Sequence, residues 1–291
     1  REYDLRGVVG EELTEAIAEQ VGRAYATMAR EQGASRISLG RDGRLSSPGL
    51  QQALLRGLLA GGLDVVDLGL CASPLLYFSL FTLPVDGGIM ITGSHNAAEY
   101  NGFKICIGKE AIHGEEIQRL RRVMEAGQFT TGSGRLSSHP IIPDYLEHLK
   151  TNFSGVRADH LHVVIDCGNG AASLVAKQAL EQMGCRVTGL YDELDGRFPN
   201  HHPDPTVVEN LQDLIATVRE HKADVGLLHG GILINVYDYD PGAAFLARLD
   251  GVGHDVDLRH HRIGAPDYNA VRLCHLARVN AGKPASSRDI A

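Results

Sequence analysis

The stretch Gly88-Ile89-Met90-Ile91-Thr92-Gly93-Ser94-His95-Asn96 sets an apolar run directly before a glycine turn that carries a serine. A short apolar run bounded by turn residues reads as a buried strand, so Ser94 falls where that strand surfaces, a position suited to a nucleophile. Tyr100-Asn101-Gly102-Phe103-Lys104 follows, read as a hairpin-like turn delivering a lysine into a second apolar strand, Ile105 to Ile107. A hydroxyl on a small loop can meet a substrate, and a nearby lysine can move a proton or neutralise a phosphate.

On either side of this segment, helices and strands alternate. Leu13, Ala16, Ile17, Val21, Ala24 and Met28 recur at helical spacing, and Gly33 closes that helix before a strand at Ile37-Ser38-Leu39. Ser47-Pro48 is expected to cap and open a helix through Leu58, with a strand at Leu63 to Leu68 and a third helix opened by Ser73-Pro74. Glu115 to Met124 is a further helix. Such alternation predicts an α/β layered domain on a mostly parallel sheet. Residues 127–143, rich in Gly, Ser and Pro, read as a linker. A second domain then has a helix at Asp144–Lys150, a strand at His162–Ile165, a helix from Ala171 to Met183, a strand at Arg186–Leu190 and a helix from Val208 to His221. The Gly168-Asn169-Gly170 turn is expected to reverse the chain rather than cradle a phosphate.

Composition sets outer limits. The chain has 291 residues, 43% of them apolar, enough for two cores. Its net charge of −8, with Lys and Arg scattered singly, argues against a nucleic-acid partner. No apolar stretch approaches the ~18 residues of a membrane span, no cleavable signal is seen, and a cytoplasmic location is expected. Cys71, Cys106, Cys167, Cys185 and Cys274 lack metal-ligand spacing and read as reduced thiols. The start at Arg1 instead of Met reads as a trimmed terminus, and nothing in the sequence fixes the oligomeric state.

Thr92 to Asn96 followed by Tyr100 to Lys104 resembles the active-site segment of the phosphohexomutases, the phosphomannomutase/phosphoglucomutase family. Further motifs of that family fall in order: Tyr3-Asp4-Leu5-Arg6-Gly7, Gly40-Arg41-Asp42-Gly43-Arg44, Asp166-Cys167-Gly168-Asn169-Gly170 and Phe198-Pro199-Asn200-His201-His202-Pro203-Asp204-Pro205. The resemblance implies two consecutive three-layered mixed α/β domains of the phosphohexomutase type, the second incomplete. The first, residues 1–138, carries the serine loop; the second, 139–228, stops before the metal loop; 229–291 is a divergent tail.

The activity it implies is interconversion of hexose 1-phosphate and hexose 6-phosphate through a hexose 1,6-bisphosphate. Ser94 is then the phosphoryl carrier, Lys104 the general acid/base, and Arg6 the cation that neutralises the phosphoserine, with His95 shaping the loop. Tyr3, Asn96 and Arg41 are substrate-binding, Arg41 and Arg44 either supporting Arg6 or pairing with Asp42. His201 and His202 are expected to fix the domain junction. The family also holds Mg2+, in an Asp-Gly-Asp-Gly-Asp-Arg loop completed by the phosphate on Ser94.

Here the sequence departs from its family. After Asp224-Val225-Gly226-Leu227 it runs Leu228-His229-Gly230-Gly231-Ile232-Leu233, with no carboxylate before Asp238. Asp238 and Asp240 restore the alternating spacing but are flanked by Tyr237 and Tyr239 where the family has glycine, so they are not expected to replace the loop. Beyond Gly230 no periodicity is sustained, and the family's third and fourth domains are not recognisable. A changed reading frame, a rearrangement or a truncated product would each leave this pattern. Proline after the loop asparagine is also replaced, by Ala97-Ala98, which loosens the turn.

The competing function is therefore a catalytically impaired remnant of such an enzyme. A serine hydrolase built on Ser94 and His95 is disfavoured, because adjacent residues seldom align as nucleophile and base. Which hexose phosphate is preferred is not readable.

Overall fold

The computed structural model describes residues 4–230 and 233–238. Tyr3 and the remainder of the tail, with Asp240 and Cys274, lie outside the described residues. Within them the order is β1 (Leu5–Val8), α1 (Glu15–Glu31), β2 (Arg36–Arg41), α2 (Ser47–Ala60), β3 (Asp64–Leu70), α3 (Ser73–Thr82), β4 (Gly87–Ile91), β5 (Tyr100–Ile107), β6 (Glu110–Ala111), α4 (Glu115–Ala126) and β7 (Leu136–Ser138). The second half continues with α5 (Ile141–Asn152), β8 (His162–Asp166), α6 (Ala176–Gln182), β9 (Arg186–Leu190), α7 (Gln212–His221), β10 (Val225–Gly230) and β11 (Leu233–Asp238).

The first sheet runs β1-β5-β4-β2-β3-β7, with β6 on β5. Its β2, β3, β4 and β7 are parallel, while β5 is antiparallel to β4 and β1. Alternate residues of each strand face opposite layers. Ile37, Leu39, Val65, Ile89 and Ile91 meet α1 and α2 in one core, whereas Val66, Leu68 and Met90 meet α3 on the other side. That second core also takes in Ile141 and Leu146 of α5 and Ala179 of α6, so the two halves share buried apolar surface. The second sheet, β11-β10-β8-β9, is layered in the same manner: Val164 packs with Leu214 and Val218 of α7, and Ile165 with Cys167 and Ala172. The mixed α/β, three-layered expectation is met in both halves.

Several local expectations are corrected. Tyr100–Lys104 is not a turn but the first part of β5, because β1 and β4 pair with it on both sides and override the turn preference of Asn101-Gly102. Ser47 is not the cap of α2. Ser46 holds that place without a capping bond to the helix, and the Ser47 hydroxyl donates to Asp42 Oδ1 at 2.7 Å. The linker is structured in part, since β7 pairs in parallel with β3 at Val65–Asp67.

The helix read from Ala171 is a 3-10 turn, Ala171–Leu174, followed by α6, and the helix read from Val208 likewise starts as a 3-10 turn, Val208–Leu211. Past residue 228, β10 continues to Gly230 and pairs antiparallel with β11, Gly230 opposite Leu233 and Val225 opposite Asp238. A strand at a sheet edge needs only one neighbour for its ladder, so it forms where no longer periodicity is sustained. Among the described residues no helix is long and apolar enough to cross a membrane. Cys71, Cys106, Cys167 and Cys185 are buried free thiols, Cys71 pushed up to about 12 by burial.

Candidate active site at the end of β4

Parallel pairing of β2 with β4, Arg41 opposite Ile91, brings the loops after both strands out on one edge of the sheet. The Asp42 amide donates to the Ile91 carbonyl at 2.9 Å, and the Gly93 amide donates to Asp42 Oδ2 at 3.3 Å. Ser94 then takes a left-handed conformation, φ 56°. A side chain there costs on the order of 1 kcal/mol and needs surrounding contacts to hold it. Some are local: the Ser94 amide donates to Thr92 Oγ1 at 2.9 Å. Ser94 Oγ lies 3.3 Å from His95 Nδ1, within hydrogen-bonding reach.

The remaining contacts come from Arg44, fully buried beneath the loop. Its Nε donates to Asp42 Oδ2 at 3.2 Å. Nη1 donates to the carbonyls of Ala97 and Tyr100 at 2.5 and 3.0 Å, and Nη2 to those of Ser94 and Asn96 at 3.0 and 2.7 Å. All five N–H groups of the guanidinium are thereby used. Burial lowers the pKa of Arg44 and Asp42 opposes that shift. Gly93 is required in this turn: a Cβ there would stand 2.4 Å from Arg44 Cζ and 2.8 Å from the Tyr100 carbonyl oxygen.

A charged cluster stands beside the loop. Arg6 on β1 donates from Nη1 to Asn96 Oδ1 at 2.8 Å and from Nη2 to Asp4 Oδ2 at 2.5 Å. Asp4 also lies 3.7 Å from Lys104 Nζ, so one carboxylate links both cations. Burial lowers the pKa of Lys104, Asp4 opposes it, and Arg6 pushes it down further. Among the described residues, Arg6 Nε is the buried side-chain polar atom without a hydrogen-bond partner.

Ser94, His95, Asn96, Arg6 and Lys104 are thus brought to one edge of the sheet. Arg41 differs: its Nε donates to Gln51 Oε1 at 2.9 Å, holding it against α2, and Gln51 in turn donates to Asp67. It neither supports Arg6 nor pairs with Asp42 in this arrangement; Arg44 does the latter. Asp4 stood inside a quoted motif without a role. Asn101, fully buried, donates to Ser46 Oγ and Ser47 Oγ at 2.9 and 3.0 Å and ties β5 to α2, which sequence spacing alone does not reveal.

Across a narrow crevice from Ser94 lie Asn169, Phe198 and Pro203 of the second half. Here His201 does not bridge the two halves by hydrogen bonds: its Nε2 lies 3.0 Å from the buried Asp166 Oδ2, and its Nδ1 donates to the His202 carbonyl at 2.7 Å. Burial lowers its pKa, but the bonds to Asp166 and His202 outweigh that and hold it above the ordinary value. Asn200 Nδ2 donates to Asn169 Oδ1 at 2.7 Å, so this loop is anchored on the Gly168-Asn169-Gly170 turn. That turn makes protein contacts of its own, Asn169 Nδ2 donating to the Glu193 carbonyl at 2.8 Å.

Residues 1–131 match the model of phosphoglucomutase/phosphomannomutase α/β/α domain I, and residues 143–231 that of domain II. The chain belongs to the phosphoglucomutase/phosphomannomutase family. It is 44% identical over 231 residues to a phosphomannomutase/phosphoglucomutase of Pseudomonas aeruginosa, covering 79% of this chain and 50% of that protein. To a Neisseria meningitidis phosphoglucomutase it is 41% identical, with the same coverage. A crystal structure of a family protein from Burkholderia thailandensis superposes with a TM-score of 0.77 at 38% identity, over 82% of this chain and 54% of that one. The chain therefore spans about half the length of these relatives.

The family's magnesium does not fit the donors present among the described residues. The chain leaves β10 through Leu228-His229-Gly230, without a carboxylate. Among the described residues no three His, Cys, Asp or Glu side chains are grouped to hold a metal. Asp238 pairs with Val225, at the opposite end of β10 from Gly230, roughly 16 Å away at strand rise.

Proposed function

We propose that this chain carries the phosphoryl-transfer centre of a phosphohexomutase acting between hexose 1-phosphate and hexose 6-phosphate. Ser94 is the carrier. The phosphoserine P–Oγ bond breaks as a sugar hydroxyl oxygen bonds to phosphorus, giving the bisphosphate; the reverse step takes the other phosphate back. Lys104, its pKa lowered by burial, accepts the hydroxyl proton, and His95 Nδ1, in the tautomer that bears a proton, returns one to the departing serine oxygen.

The observation that carries this reading is Arg6. A buried guanidinium holds Asn96 of the serine loop while its Nε lacks a partner. A buried N–H without an acceptor costs about 1–3 kcal/mol, and a phosphoryl oxygen on Ser94 is the acceptor the site's chemistry provides. Phosphoryl transfer is chiefly positioning and charge neutralisation, the roles these groups fill.

The carboxylate-free end of β10 favours a second reading, in which phosphoserine forms but turnover is slow. Incubation with glucose 1,6-bisphosphate, with and without magnesium, followed by peptide mass spectrometry tests both. Phosphate on Ser94 is expected; stable phosphate on another serine with none on Ser94 overturns the carrier assignment. A coupled mutase assay then separates the two readings.

A further inference from the structure

The serine loop is held from beneath by a residue whose own position is set by the other half of the molecule. Arg44 supplies four carbonyl contacts to the loop, and the ring of Phe198 lies over its guanidinium, 4.9 Å from Cζ to the ring centroid. Phe198 takes φ 50°, a conformation side chains adopt only when neighbours impose it. Here the neighbours are identifiable. His201, three residues on, is fixed to Asp166, and Asn200 to Asn169. On the other side, Gly196 lies so close to the Gly43-Arg44 backbone that a Cβ would sit 2.2 Å from the Gly43 carbonyl oxygen and 2.7 Å from Arg44 Cα. The order of layers is therefore serine loop, guanidinium, Phe198 ring, and the last of these belongs to the second half.

We propose that Arg44 is the positioning residue of Ser94 and that Phe198 sets it: the ring seals the guanidinium, so the geometry of Ser94 depends on a contact made by the second domain. A guanidinium face covered by an aromatic ring is shielded from water, and a shielded donor keeps its carbonyl partners in place. If Ser94 carries a phosphoryl group, as proposed above, the dependence extends to the rate of transfer at saturating substrate and leaves substrate binding alone.

The test uses the full chain and two variants, Phe198→Leu, which keeps apolar bulk without the ring face, and Phe198→Tyr, which keeps the face. Hydrogen exchange followed by mass spectrometry should show peptides covering residues 93–100 exchanging about tenfold faster in Phe198→Leu, near the wild-type rate in Phe198→Tyr, with the Ile37–Leu39 core unchanged. Transfer from glucose 1,6-bisphosphate to Ser94 should slow by about the same factor at saturation, at an unchanged half-saturating concentration.

Unchanged exchange at 93–100, equal losses in both variants, or an unchanged saturating rate each overturn the proposal. Should Phe198→Leu unfold, Gly196→Ala replaces it: the added Cβ lifts the same loop and must accelerate the same peptides. Wild-type protein that takes no phosphate on Ser94 defeats the carrier reading alone, and exchange then decides the brace. Labelling at wild-type rate and unchanged exchange in the variant defeat the brace alone.

Discussion

β4 and β10 each run parallel to a neighbour in their own sheet, and their two ends differ in how the chain leaves them. At the end of β4 the backbone is over-determined: Asp42, Thr92 and Arg44 all hold the turn that presents Ser94, and Arg6, Asp4 and Lys104 form a linked charge cluster beside it. At the end of β10 the strand is well formed, in parallel with β8 and antiparallel with β11, yet Leu228-His229-Gly230 bring no carboxylate there. A fold tolerates loss of functional side chains at a strand end because the ladder is made by backbone, whereas the Ser94 loop owes its shape to side chains and cannot lose them without losing its geometry.

The largest effect expected from breaking the intact end is at Lys104. Lys104→Met removes the proton carrier and one of the two cations on Asp4, and should slow discharge of phosphoserine 94 to glucose 1-phosphate by about 10²- to 10⁴-fold. Quenched-flow measurement of the remaining phosphoserine checks it, and a loss under threefold removes Lys104 from the proton path.

Next comes the support on the second half. Asp166 is fully buried, with His201 Nε2 3.0 Å from its Oδ2. His201→Ala leaves that carboxylate with the Gly168 amide alone and should cost about 3 kcal/mol in urea denaturation. The cost should also depend on pH. The folded pKa of His201 lies above its unfolded value of about 6.5, so its contribution is complete below that value and is lost as pH rises through the folded value. Asp166, Asp213 and the Tyr191 ring are the groups around it. The difference between wild type and His201→Ala should therefore be larger at pH 6 than at pH 9; the reverse order would mean that His201 is held neutral.

What the sequence made legible follows from how each feature is encoded. Ser94, Lys104 and Arg6 lie in short contiguous motifs, and the strand before Ser94 is a plain apolar run. By contrast, the first part of β5 was hidden because Asn101-Gly102 is a local turn signal that two neighbouring strands override. The pairing of Arg44 with Asp42 was legible, but its hold on the serine loop was hidden because it rests on contacts about fifty residues away, created only when β2 and β4 pair. Phe198 adds a contact from a loop of the second half. The 3-10 starts at Ala171 and Val208 follow chain entry from loops, which periodicity does not record. The domain boundary read at 228 fell inside β10, since an edge hairpin needs little pattern to form.

The smallest effect expected is at the depleted end, and its smallness is the informative part. Magnesium seeks near-octahedral oxygen coordination and is bound by carboxylates together with phosphate oxygens. If the end of β10 supplied ligands unnoticed, phosphorylated protein would bind magnesium with submillimolar affinity, and chelation would change phosphoserine discharge strongly. With Leu228, His229 and Gly230 there, and Asp238 at the far end of the strand, calorimetry on the phosphorylated chain should give a dissociation constant weaker than about 1 mM, and chelation should alter discharge by less than about threefold. Tight binding abolished by Asp238→Ala would show that the tail returns a carboxylate to the site despite the strand register. Tight binding that survives Asp238→Ala and is lost only when Asp240→Ala is added would assign the ligand to the second carboxylate of that pair.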